Sequence, residues 1–183
     1  MIPNLSNFIN RIANWKSLLL FLALYMFFSG YVLKNAEAKI NELAGKTVGI
    51  IDLTFGFDPQ KTLTMVADYG DAGRACYSKT EMTADVAYPI IYAFLFGIIL
   101  SLLYRRKPYS WVNVLPFITM LFDYGENLNV ITLLNSFPQQ SNTIAVLCEL
   151  FKLLKWTSLG ICILLILWGL INLLLGRLKS STQ

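Results

Sequence analysis

The sequence predicts an all-α fold: a four-helix transmembrane bundle with a small, mostly helical extracytosolic cap between its first and second helices. Two observations carry that prediction. Hydrophobic residues make up 56% of the 183-residue chain and charged residues 14%, against roughly a quarter charged in an average soluble domain, and the mean hydropathy is +0.56. A soluble fold cannot hide so much apolar surface, whereas a bilayer can. The second observation is where the charges fall. Arg11 and Lys16 precede the first apolar run, Arg105, Arg106 and Lys107 separate the second from the third, and Arg177 and Lys179 follow the last. Those three places hold seven basic residues and no acidic one, while residues 34–85 hold six basic and eight acidic residues. This is the positive-inside pattern, with both ends on the cytoplasmic side.

The elements follow in order. Residues 4–16 place Leu5, Phe8, Ile9, Ile12 and Trp15 at helical spacing, which predicts an amphipathic helix on the inner membrane surface with Trp15 at headgroup level. Ser17–Leu33 is apolar and aromatic throughout, and its 17 residues are just enough to cross the hydrocarbon layer. A cleavable signal peptide competes, because Ala36-Glu37-Ala38 has the small-x-small form of a processing site. The apolar stretch exceeds a usual signal core, so the segment is expected to stay as the first span.

Residues 34–85 form the predicted cap. Lys34–Ala44 extends the first span as a polar helix that Gly45 stops. Val48–Phe57 is apolar and β-branched, so it reads either as a short strand or as a loop on the bilayer surface. Asp58-Pro59 starts a helix, with aspartate as N-cap and proline at the first helical position; that helix runs to about Tyr69 and stops at Gly70. Asp71 is expected to cap a further turn carrying Arg74, Cys76 and Tyr77. The remaining spans are 86–104, 111–134 and 143–176. The last measures roughly 50 Å at about 1.5 Å per residue, longer than a hydrocarbon core of about 30 Å, so its first third tilts, kinks or projects outward.

The chemistry gathers in the third span. Asp123, Glu126 and Asn127 sit at i, i+3 and i+4 and so share a helix face. Counted from Trp111, Asp123 lies about 18 Å along the axis, near the midplane. An unpaired carboxylate there costs at least a few kcal/mol, so these groups face the bundle interior. Lys152 and Lys155 lie at similar depth on the fourth helix, and Arg74 and Asp85 at the mouth of the second span. The prediction is a buried ionic cluster in the outer half of the bundle, roofed by residues 48–85. Candidate catalytic residues are Glu126 and Asp123; candidate binding residues are Arg74, Tyr77, Asp85, Asn127, Lys152 and Lys155. The alternatives are a cluster that only locks helix register, and carboxyls left at the surface by a helix break. The aromatic residues in the spans read as packing.

Several function classes fall away. With no histidine in the chain, zinc, haem and Ser-His-Asp chemistry lack their usual ligand or base, and neither a metal nor a cofactor is expected. No basic patch interleaved with exposed aromatics points to nucleic acid. No internal repeat points to an inverted-repeat transporter. Cys76 and Cys148 both map to the outer side and are candidates for a disulfide; Cys162 reads as packing.

The pieces Asp52-Leu53-x-Phe55-Gly56, Gly73-Arg74-x-x-Tyr77, Asp85-x-x-Tyr88-Pro89, Phe122-Asp123-Tyr124-x-Glu126-Asn127 and Lys155-Trp156 resemble a family of uncharacterised small integral membrane proteins. The resemblance implies a four-helix membrane fold in a plasma membrane, with a bacterial home. It brings no activity. Three functions are therefore carried forward: a module binding a membrane lipid or a partner membrane protein, a second copy of the chain included; an enzyme acting on a lipid or isoprenoid through Glu126 and Asp123; and a small proton-coupled transporter.

Overall fold

The computed structural model describes residues 2–105 and 110–180, with the side chains of Ile2 and of residues 176–180 left undescribed. The basic turn at Arg106 and Lys107 and the side chains of Arg177 and Lys179 therefore lie outside the described residues. Among those residues every regular element is helical, with no strand. Three helical stretches are long and apolar enough to cross a membrane: Trp15–Ala44, Gly70–Tyr104 and Asn142–Leu175.

Helix α1 (Ile2–Ile12) is amphipathic as expected. It ends earlier than the sequence suggested, because Asn14 caps the next helix and Trp15 opens it. The Asn14 side chain accepts from the backbone of Lys16 and Ser17 while Ser17 Oγ accepts from the Asn14 N–H, a reciprocal cap that satisfies two orphan donors. Ile9 is fully buried, and Asn113 donates to the Ser6 carbonyl at 3.1 Å. The amphipathic helix thus packs on protein, not on the membrane surface alone.

Helix α2 (Trp15–Phe27), a π-helical turn at Phe28–Val32 and helix α3 (Leu33–Ala44) form one continuous rod. Gly45, at φ 68°, ends it, a backbone conformation that a Cβ disfavours. No residue of the most apolar part of this rod is buried; Leu19, Leu20, Leu22, Met26 and Phe27 all face outward. Exposure on that scale is stable only against lipid or a partner.

Val48–Phe57 is neither strand nor plain loop. Ile51–Leu53 form a 3₁₀ turn that buries Ile51 and Asp52, while Leu53, Phe55 and Phe57 remain exposed. The run breaks where Asp52 turns inward to hydrogen-bond, which a strand ladder would not permit. Helix α4 (Pro59–Asp68) starts as predicted, with Asp58 accepting from the Lys61 N–H at 3.0 Å and Pro59 at the first position. Gly70, at φ 63°, separates it from α5 (Gly70–Glu81). Asp71 caps nothing; it lies inside α5 and pairs with Arg74. Helices α6 (Ala84–Tyr104), α7 (Leu115–Ser136) and α8 (Asn142–Ser180) follow, with a 3₁₀ turn at Ser110–Val114 before α7.

The most extensive packing is between α7 and α8. Gly125 makes it close: a Cβ there would lie 2.5 Å from Phe151 Cδ1. Helix α7 is less apolar than the three candidate spans because Asp123, Glu126, Asn127 and Asn129 interrupt it. The α2–α3 rod packs on α5 and α6 but makes no extended contact with α8. That leaves a gap on one side of the bundle. A buried core joins α3, the Ile51–Leu53 turn, α4 and α5 to α7 and α8 through Ile40, Ile51, Val66, Tyr69, Tyr77, Val130, Leu133 and Cys148.

All three cysteines are free thiols, so the expected bridge between Cys76 and Cys148 is not formed. Cys148 is buried in that core and Cys76 packs against it; both act there as small apolar side chains.

Candidate functional site

A cavity of about 420 Å³ opens on the side where the α2–α3 rod and α8 fail to meet. Its charged lining is Asp52, Glu81, Asp85, Asp123 and Lys155, with Lys34 and Glu37 on the α2–α3 rod. Its aromatic and apolar lining includes Tyr25, Leu33, Tyr88, Phe96, Trp156 and Leu159. Tyr25 stacks on Tyr88, with ring centroids 5.7 Å apart, and Tyr88 meets Tyr92 edge-on at 5.6 Å. Trp156 packs on Phe55 of the overlying loop, centroids 5.5 Å apart, and its Nε1 donates to the Asp52 carbonyl at 3.2 Å.

Lys155 organises the buried charges. From α8 it reaches across to α7, where its Nζ is ion-paired with Glu126 and lies 3.3 Å from Asp123 Oδ1. Tyr92 on α6 donates to Asp123 Oδ2 at 2.8 Å, so three helices meet at one carboxylate. Glu126 is fully buried behind Asp123, and its Oε1 has no hydrogen-bond partner. On the neighbouring face Asn127 donates to Asp85 Oδ2 at 2.7 Å. The expected cluster of Asp123, Glu126, Asn127, Asp85 and Lys155 is therefore assembled.

Tyr77 belongs to it by another route. Its hydroxyl donates to Asp52 Oδ2 at 2.8 Å and accepts from the Ile51 N–H at 3.0 Å, pinning the loop over the cavity. Tyr69 packs edge-on against Tyr77, centroids 5.2 Å apart, and donates to the Gly49 carbonyl at 3.0 Å. Burial, then the charges of Asp52 and Glu81, push the Tyr69 phenol well above its usual range, so it stays a neutral donor.

Two expected members lie elsewhere. Arg74 shares a buried face of α5 with Tyr77 and Glu81, but sits seven residues before Glu81, about 10 Å further out along the axis. There it donates to the Val66 carbonyl at 3.1 Å, pairs with Asp71, and lies 3.8 Å from the Phe137 ring centroid. Lys152 pairs with Glu149 and donates to Thr54 Oγ1 at 2.6 Å. Glu149 also accepts from the Asp58 N–H at 2.9 Å and Thr62 Oγ1 at 2.7 Å. That is a second, closed network stapling the 54–62 segment to α8, and its groups do not line the cavity.

Sequence reasoning missed Glu81 and gave Asp52 no role at the site. Glu81 repeats the helical spacing of Arg74 and Tyr77 on one face of α5, a signal that was available. Asp52 is the lone acidic residue in an apolar run, which marks either a turn or a buried acceptor. Among the described residues no three carboxyls converge as metal ligands would.

The fold and site define a class: an all-helical protein with membrane-length apolar helices and a buried, acid-rich cavity open on one flank. No family model, curated protein or solved structure matches the chain, so the resemblance in the Asp123–Asn127 element and its companions stands on those motifs alone.

Proposed function

We propose that this chain is a multi-pass membrane protein that holds a lipid in the flank cavity, the polar head inside and the tail in the bilayer. One observation carries the reading: the cavity joins buried charged groups to aromatic and apolar side chains and lies between two helices whose outer surfaces are apolar. A soluble ligand has no use for so apolar a lining, whereas a lipid needs both parts. In this reading α7 is the fourth span; its 22 residues extend about 33 Å, enough to cross. Residues 34–85 form the outer cap, both ends are cytoplasmic, and the home is a bacterial plasma membrane. A reporter fused after Gln183 that is active only in the cytoplasm supports this topology.

Native mass spectrometry of the protein extracted in mild detergent tests the lipid reading. The wild type retains phospholipid, and Leu159→Trp, which fills the apolar part of the cavity, loses it at unchanged melting temperature. A wild-type protein that is fully lipid-free yet equally stable overturns the reading.

A second reading rests on Asp123. It faces the cavity beside Lys155 while Glu126 lies behind it, an arrangement suited to moving a proton at a bound lipid or isoprenoid head. Here Asp123, not Glu126, touches substrate. Turnover abolished by Asp123→Asn with lipid retention intact separates this reading from the first.

A further inference from the structure

The buried charges of the cavity are not balanced. Four buried carboxyls, Asp52, Glu81, Asp85 and Asp123, line it with the buried amine of Lys155, and Glu126 pairs with that amine from behind; Lys34 and Glu37, both less buried, also line the cavity on the α2–α3 rod. Lys155 serves Asp123 and Glu126, and Asn127 serves Asp85. Asp52 and Glu81, which also line the cavity, are left with unfilled acceptors. Asp52 uses Oδ2 for Tyr77, but its Oδ1 is buried with no partner. Glu81 is 2% exposed and its Oε2 is likewise unpartnered. Buried acceptors without donors are costly to leave so, and those of one sign beside one another more so.

We infer that these oxygens receive the primary ammonium of a lipid headgroup, which deepens the lipid reading above and rests on it. A primary ammonium offers three N–H donors and one positive charge, matching unfilled acceptors on Asp52 and Glu81. A quaternary ammonium brings the charge without the donors, and a glycerol or sugar head brings donors without the charge. Trp156, whose Nε1 donates to the Asp52 carbonyl, lines the same cavity and adds cation–π attraction. Lys155 is then a fixed internal counter-ion and does not compete for the ligand.

The test is competition binding to the detergent-purified full chain, read by native mass spectrometry. The probes are phosphatidylethanolamine, phosphatidylcholine and phosphatidylglycerol with matched acyl chains, plus water-soluble phosphoethanolamine. The expected result is roughly ten- to hundredfold preference for phosphatidylethanolamine over the other two lipids, the range one net charge-assisted hydrogen bond supplies. Asp52→Asn and Glu81→Gln each reduce that preference. The wild-type comparison needs no variant to fold. Equal binding of phosphatidylcholine or phosphatidylglycerol overturns the ammonium assignment and leaves the lipid cavity standing. Displacement by phosphoethanolamine at concentrations equal to the lipid overturns the lipid as source. Retention of none of the lipids overturns both.

Discussion

Lys155→Met removes the cation that Asp123 and Glu126 share and keeps most of the apolar stem of the side chain. In the native protein Lys155 Nζ is ion-paired with Glu126 and lies 3.3 Å from Asp123, all three nearly inaccessible. Removing one partner of such a group strands the others, at a cost of about 3–5 kcal/mol. For a chain of this size each kcal/mol shifts the melting temperature by about 2–4 °C, so the variant should melt roughly 6–20 °C lower in detergent. The loss comes from stranded carboxylates and not from a missing bond, so neutralising them should restore most of it. Lys155→Met combined with Asp123→Asn and Glu126→Gln is expected to recover at least half of the shift. The assay is thermal unfolding of the purified proteins followed by tryptophan fluorescence. A single variant as stable as the wild type refutes the burial argument, and a triple variant no better than the single refutes the electrostatic one.

Three further outcomes follow from the packing. Gly125→Leu should force α7 from Phe151, cost about 2 kcal/mol or more, and loosen the Glu126–Lys155 pair one residue away; an unchanged melting temperature contradicts the close approach. Glu149→Gln should weaken the staple on the 54–62 segment by about 1–3 kcal/mol, seen as faster proteolysis between α3 and α4 with the membrane core intact. Maleimide should label half-buried Cys76 in the folded protein, while Cys148 and Cys162 react only after unfolding, and gel mobility should not respond to reductant.

Much of this was legible because it depends on short-range rules. Asp58-Pro59, Gly45 and Gly70 punctuate the cap where chain geometry alone demands it. Asp123, Glu126 and Asn127 share a face by helical period, and a lysine at matching depth on α8 is the natural partner. What failed depended on how far an element runs. Asp71 looked like a cap until α5 proved to start at Gly70, and the full length of α5 carries Arg74 away from the cluster. Lys152 and Lys155 look alike in sequence; only the turn at Ile51–Leu53, which brings Thr54 and Asp58 to α8, decides that Lys152 closes a staple instead. The gap between the α2–α3 rod and α8 has no sequence signature, since it is a contact not made.

The account stands most directly on lipid entering that gap. A photoreactive benzoylphenylalanine placed at Tyr88, inside the cavity, and separately at Leu20, on the outer apolar face, is irradiated in intact membranes. The account predicts an adduct at position 88 dominated by one headgroup class, and adducts at position 20 that mirror the bulk membrane. No lipid adduct at position 88, or one with the same composition as at position 20, contradicts it.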